Sequence, residues 1–162
     1  MKIRILFGIV FSVVVMALTG CGGDGGGGAP PTSVVMKVST TGLATGATIG
    51  SLDLKVTLPE GVTVNKDPAT NITPDVVVSG VAAAATSPNI MTLSTINGQV
   101  LHAIVINAAG FGAGEFAQIT CSVPAGVTAG KTADIKAAIA AATVVATDPN
   151  GAALTGVKLS AL

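Results

Sequence analysis

The sequence predicts an all-β domain, a single jelly-roll or immunoglobulin-like β-sandwich of about nine strands, on two observations. Short runs of β-branched or alternating apolar residues recur along the chain, and each is bounded by glycine, proline, asparagine or aspartate. Over residues 50–58 every second residue from Leu52 to Leu58 is aliphatic and the residues between them are polar. Such alternation with period two is typical of a strand with one dry face and one wet face.

The turns between these runs define the order of the predicted strands. Pro59-Glu60-Gly61 interrupts the alternating run, which Val62 and Val64 resume. Asn97-Gly98 separates two further runs and is the dipeptide of a tight hairpin. Asp148-Pro149-Asn150-Gly151 forms the last turn. The predicted strands span residues 34–40, 50–58, 62–64, 76–78, 90–96, 100–106, 115–123, 144–147 and 157–159.

Residues 132–146 fit two structures. Ile135 and Ile139 alternate with polar residues as in a strand, but they are also four residues apart, as on one face of a helix, and alanine favours helix. Turns bracket the segment, and the β-branched run Thr143-Val144-Val145 ends it. We therefore expect a strand here and keep the helix as the alternative.

The first 21 residues carry a targeting pattern. Lys2 and Arg4 precede an apolar stretch over residues 5–17, and Leu18-Thr19-Gly20-Cys21 ends it. This tetrapeptide resembles the lipobox of bacterial lipoproteins, which implies cleavage after Gly20 and a diacylglyceryl thioether on Cys21. The alternatives are an uncleaved membrane helix, for which the apolar run is short, and an ordinary secretory signal.

The lipobox reading divides the chain into three parts. Residues 1–20 are the predicted signal peptide, residues 21–33 the lipidated cysteine with a flexible Gly/Pro linker, and residues 34–162 the β-domain. The predicted partner of the anchor is therefore a membrane, and the predicted location is the cell envelope. Gly22 rather than aspartate follows the cysteine, which by resemblance to Gram-negative sorting rules favours the outer membrane.

The composition of the predicted mature chain excludes some partners. Its six lysines and eight acidic residues leave a net charge of −2, without the basic stripe of a nucleic-acid binder. Phe111 and Phe116 are its only aromatic residues, so the core must be aliphatic. With Cys21 lipidated, Cys121 is the only thiol, and we expect it to be buried and inert, with a reactive or intermolecular thiol as the alternative.

Three stretches give the β-domain a family resemblance: residues 52–62 (LDLKVTLPEGV), 101–121 (LHAIVI…GAGEFAQITC) and 147–151 (TDPNG). Their pattern of strands and turns resembles cohesin domains over roughly residues 45–160. The resemblance implies a nine-stranded jelly-roll that binds another protein, in a fold shared with some carbohydrate-binding modules. Cys121 stands where cohesins usually have an aromatic residue, and the tyrosine of one cohesin strand is missing. No dockerin-contacting residue can be aligned.

The remaining candidate residues favour structural roles. His102 is the only histidine, shares a strand face with Val100, Ile104 and Ile106, and is expected to be partly buried without ligating a metal. The 148–151 segment lacks the acids of a calcium loop and is expected to be a β-turn. The segment Gly110-Phe111-Gly112-Ala113-Gly114 lacks the lysine of a phosphate loop and is expected to be a flexible inter-strand loop.

The sequence thus predicts no catalytic residue, cofactor or metal. The expected function is protein–protein binding, adhesion or assembly by a lipid-anchored envelope protein. The alternative is polysaccharide binding, which the scarcity of aromatic residues disfavours.

Overall fold

The computed structural model describes residues 30–84 and 90–162, without the side chains of residues 90–92. The predicted signal peptide, Leu18, Thr19, Gly20, Cys21 and most of the predicted linker lie outside these residues. The first strand begins at Thr32, two residues before the predicted domain start. Within the described ranges no helix is long and apolar enough to cross a membrane.

Two antiparallel sheets form the predicted β-sandwich. The four-stranded sheet has the order β3-β6-β1-β9 and the five-stranded sheet the order β4-β5-β2-β7-β8. The strands are β1 (Thr32–Thr41), β2 (Ile49–Thr57), β3 (Val76–Val78), β4 (Ile90–Asn97), β5 (Val100–Phe111), β6 (Gly114–Val123), β7 (Thr143–Thr147), β8 (Ala153–Leu154) and β9 (Lys158–Ala161). The sequence-based expectation of an all-β sandwich of about nine strands is confirmed.

Strand alternation places the core between the sheets. In β2 the side chains of Leu52, Leu54 and Val56 are buried, whereas the polar residues between them point outward. The two phenylalanines stack at one end of this core, with ring centroids 6.4 Å apart for Phe111 and Phe116. Aliphatic side chains fill the rest, as the composition required.

The predicted hairpin is present between β4 and β5. Asn97 pairs with Val100, and Gly98 adopts a φ of 59°, which the turn requires and glycine tolerates at no steric cost. The Leu58 amide donates to the Gln99 carbonyl at 2.8 Å and ties the turn to the end of β2. By contrast, Val62 and Val64 do not form a regular strand, because only Thr63 between them bridges to β6, at Ser122.

The strand prediction for residues 132–146 is wrong over its first part. Residues Thr128–Ala140 form helix α2, and only Thr143–Thr147 form a strand. The alternation that suggested a strand is not used, because Ala133 and Ala137 are exposed while Ile135 and Ile139 are buried. One helical face with a spacing of four residues buries both isoleucines, and the alanines favour the helix elsewhere.

Two helices cover the open sides of the sandwich. Helix α1 (Gly80–Ala84) packs against β6 and β5 and buries Ala82, while α2 packs against β9, β1 and β2. The two inner sheet faces are thereby sealed at both sides. The outer sheet faces remain as the broad surfaces that strands supply.

Candidate functional site

The outer face of the four-stranded sheet is mostly polar, with Val35 and Val77 as its well-exposed aliphatic residues. Its centre is a network around Glu115, whose Oε1 accepts hydrogen bonds from Ser79 Oγ at 2.8 Å and Gln118 Nε2 at 3.1 Å. Lys37 Nζ lies 3.5 Å from Glu115 Oε2. The hydrogen bonds from Gln118 and then Ser79, followed by the Lys37 charge, hold the pKa of Glu115 below its usual value. The polar groups around Glu115 are thus paired with one another.

The outer face of the five-stranded sheet is apolar by comparison. Two of its side chains are more than half exposed, with 51% for Leu93 and 59% for Val145. Val100, Ile104 and Ile106 lie on the outward positions of β5, between the buried residues of that strand. We call these five residues, Leu93, Val100, Ile104, Ile106 and Val145, the apolar face.

Sheet register divides the residues of the apolar face into two groups, because the outward positions of β2 between them are polar. Leu93 of β4 pairs with Ile104 of β5, Ile104 pairs with Asp53 of β2, and Asp53 pairs with Val145 of β7. Directly paired side chains on one face lie about 5 Å apart, so Leu93 lies beside Ile104, whereas Asp53 separates Ile104 from Val145. Exposed aliphatic residues that stand alone are ordinary, whereas a group of them such as Leu93 with the outward residues of β5 is typical of a contact surface.

His102 and Asp53 form a polar pair within the apolar face. His102 Nε2 lies 2.8 Å from Asp53 Oδ1, and both side chains are partly exposed. Lys55 is the register partner of His102 on β2. The predicted partly buried position of His102 is confirmed, and its shared face with Ile104 is also correct. The aspartate partner was not predicted.

Cys121 is buried in the core, as expected. Burial, and to a smaller extent the Asp75 charge, raises the pKa of its thiol to about 11. A thiol with so little thiolate at neutral pH is a poor nucleophile. The cysteine therefore acts as a small core side chain.

The two loops that resemble ion-binding motifs are closed turns. Asp148 Oδ1 accepts hydrogen bonds from the amides of Asn150 and Ala152, at 2.9 and 2.8 Å. Gly112 and Ala113 form a two-residue connection between β5 and β6, which is tighter than the flexible loop expected from the sequence. Over residues 30–84 and 90–162 no three His, Cys, Asp or Glu side chains converge as metal ligands would.

A small cleft opens at the end of the sandwich beside the β4–β5 turn. It measures about 150 Å³ and is lined by aliphatic side chains such as Leu58, Val62 and Ile96. Lys66 is the charged residue in its lining, and Lys66 Nζ donates to Asn71 Oδ1 at 3.0 Å. Among the lining residues no acid stands beside Lys66 to form an acid–base pair.

The sequence held a signal for the apolar face. Strand β5 carries apolar residues on both of its faces. Leu101, Ala103 and Val105 face the core, and Ile104 and Ile106 face outward. Strands that are covered on both sides are typically apolar on both sides, so this pattern pointed to the outer face of β5 as a candidate contact surface. Leu93 and Val145 carry no such signal alone, because each lies in a different short strand and joins the face only through pairing.

Comparisons with known proteins identify the fold. No protein-family model matches the chain, and no curated protein matches it. A solved structure that is similar is the non-cellulosomal cohesin from the hyperthermophilic archaeon Archaeoglobus fulgidus. The TM-score is 0.51 at 12% sequence identity, over 78% of this chain and 75% of that one. The chain therefore has a cohesin-like β-sandwich, as the strand and turn pattern had indicated.

Proposed function

We propose that this protein is a non-catalytic binding module that docks another protein on the apolar face. The observation that carries the proposal is the contrast between the two outer sheet faces. One is mostly polar around Glu115, and the other exposes the larger number of aliphatic side chains, namely Leu93, Val100, Ile106 and Val145. Cores of protein interfaces are rich in apolar side chains, and the second face exposes more of them than the first, on either side of the polar residues of β2. The cohesin-like fold supports a binding role.

Polysaccharide binding is less well supported. Sugar-binding surfaces use aromatic rings to stack on the apolar faces of pyranose rings, and rings serve only where they are exposed. Phe111 and Phe116 are both buried in the core. The described residues therefore offer no exposed ring for such stacking.

We also propose that the domain is held at the cell envelope by lipid on Cys21, with cleavage after Gly20 and outer-membrane sorting. The linker joins β1 at Thr32. About twelve flexible residues have an r.m.s. reach on the order of 20 Å, enough to hold the domain clear of lipid headgroups. Cys21→Ser is expected to abolish both the labelling of the protein by fatty acid and its recovery in the membrane fraction. Normal labelling of this variant would contradict the anchor.

The docking proposal is tested by affinity capture. The full-length tagged protein would be produced in its host, and the species it retains from envelope and culture fluid identified by mass spectrometry. Leu93→Lys combined with Val145→Lys is expected to lose a protein that the wild type retains.

The four-stranded sheet supplies a matched control for this variant. Val35 and Val77 lie on its outer face and are 49% and 59% exposed, against 51% and 59% for Leu93 and Val145. Val35→Lys combined with Val77→Lys adds the same charge and is expected to retain the partner. Equal losses by both double variants would contradict docking on the apolar face, and retention of polysaccharide alone would support the other function.

A further inference from the structure

The small cleft beside the β4–β5 turn is an apolar concavity that the proposed docking does not use. Leu58, Val62, Val64 and Ile96 line it, and all four are buried. Its walls are thus fixed by the core of the sandwich rather than formed by mobile surface side chains. Its volume of about 150 Å³ is that of a cavity that accepts benzene, so about six carbon atoms fit.

Backbone hydrogen bonds preform the walls of the cleft. The Leu58 amide donates to the Gln99 carbonyl at 2.8 Å, which joins the end of β2 to the β4–β5 turn. The Ile96 amide donates to the Asn71 carbonyl at 2.9 Å, which joins β4 to the loop over residues 65–71. A ligand that enters therefore does not have to order the walls first, and less of its binding free energy is lost.

Lys66 supplies a positive charge in the lining of the cleft. Lys66 Nζ donates to the neutral Asn71 Oδ1 at 3.0 Å, which uses one of its three N–H donors. Two acids of this region bind other donors, since Asp67 Oδ1 accepts backbone amides at 2.8 and 3.0 Å and Asp75 Oδ2 accepts one at 2.7 Å. Among the described residues no carboxylate lies within 4 Å of the Lys66 ammonium. Its charge is therefore available to an anionic ligand.

The walls and the charge together define the chemistry of a ligand. Aliphatic walls favour a hydrocarbon group, because its burial removes apolar surface from water. One ammonium matches one negative charge and repels an amine. Phosphate carries up to two charges and is held in proteins by several donors or by the fork of an arginine, which the lining lacks. The complementary ligand is a short aliphatic chain that ends in one carboxylate.

We propose that the cleft binds a short-chain aliphatic monocarboxylate of about four to six carbon atoms. The hydrocarbon chain lies among Leu58, Val62 and Ile96, and the carboxylate accepts a hydrogen bond from Lys66 Nζ. None of the residues of the apolar face lines the cleft, so the site does not depend on the docking proposal. It adds a small-molecule site to a protein-binding module.

The test is a titration of the full-length protein, isotope-labelled in its host and purified in phospholipid nanodiscs, with sodium hexanoate as the probe. The readout is the NMR chemical shifts of the methyl groups of Leu58, Val62 and Ile96. Hexanoate is expected to shift these signals saturably, with a Kd on the order of 1 mM. Butanoate is expected to bind about fifteenfold more weakly, because each of the two missing methylene groups contributes about fourfold.

Two lysine variants test the role of the charge. Lys66→Gln is expected to weaken hexanoate binding about fivefold, as for one partly exposed ion pair. Hexanamide lacks the charge and is expected to bind the wild type and Lys66→Gln equally. Lys136→Gln removes an exposed lysine of α2 and is the matched control, which is expected to leave the Kd of hexanoate unchanged. Unchanged methyl spectra outside the cleft check the folding of both variants.

The results that overturn the proposal are equally defined. They are the absence of a saturable shift at the three cleft residues, equal Kd values of hexanoate and hexanamide for the wild type, and equal weakening by Lys66→Gln and Lys136→Gln. Shifts confined to methyl groups outside the cleft overturn it as well. Each of these results leaves docking on the apolar face untouched, because that proposal is tested with other residues.

Discussion

Helix α2 gives a sharp test of the fold because a strand and a helix over residues 132–140 predict opposite results at two positions. Ile135 is 0% exposed and Ala137 is exposed. Truncation of a buried isoleucine to alanine costs about 2–5 kcal/mol, from lost transfer free energy and the cavity that remains. Small domains have about 5–15 kcal/mol in total, so Ile135→Ala is expected to remove a large share of the stability.

Ala137→Gln supplies the discriminating comparison. In a helix its side chain enters solvent, and the expected change is within about 0.5 kcal/mol. In a strand Ala137 would share the buried face of Ile135, and glutamine there would be strongly destabilising. Denaturant unfolding of both variants, followed by circular dichroism, gives the two free energies. Comparable large losses for Ile135→Ala and Ala137→Gln would refute the helical assignment.

Three further predictions follow from individual contacts. Cys121 is expected to react with a thiol reagent at mildly alkaline pH only after denaturation, and rapid reaction in the native state would contradict its burial. Because the pKa of Glu115 is lowered in the folded state, this carboxylate stabilises the fold at neutral pH and the stabilisation is lost as the pH falls. Glu115→Gln is therefore expected to make the free energy of unfolding fall less steeply between neutral and acidic pH. The same steepness in the variant and the wild type would contradict this. Gly42 and Gly46 both have positive φ, at 76° and 80°, but only at Gly42 would a Cβ meet the Gly156 carbonyl. Gly42→Ala is thus expected to lower the melting temperature more than Gly46→Ala, and equal shifts would contradict the close approach.

Strand positions could be predicted from the sequence where one face is wet and the other dry. Residues 50–58 and 115–123 have that alternation, and β2 and β6 match both closely. The segment before β7 could not be resolved in the same way, because alanine is tolerated on either side of a strand or a helix. Only the packing of Ile135 and Ile139 against the sandwich decides between the two structures.

The candidate site was only partly accessible to sequence reasoning. The face shared by His102, Ile104 and Ile106 follows from alternation within one strand. The contact between His102 and Asp53 does not follow in this way, because these residues are 49 positions apart and meet only through the pairing of β5 with β2. Whether another part of the chain covers the outward residues of β5 also depends on the tertiary fold. The sequence of one strand carries no information on what packs against it.

Site-specific photocrosslinking in the host tests the central claim most directly. A photoreactive amino acid would replace Leu93 on the apolar face or Val35 on the polar face, two positions of nearly equal exposure, at 51% and 49%. The account predicts that position 93 forms an adduct with one defined protein and that position 35 does not. A protein adduct that forms from position 35 and not from position 93 would contradict docking on the apolar face.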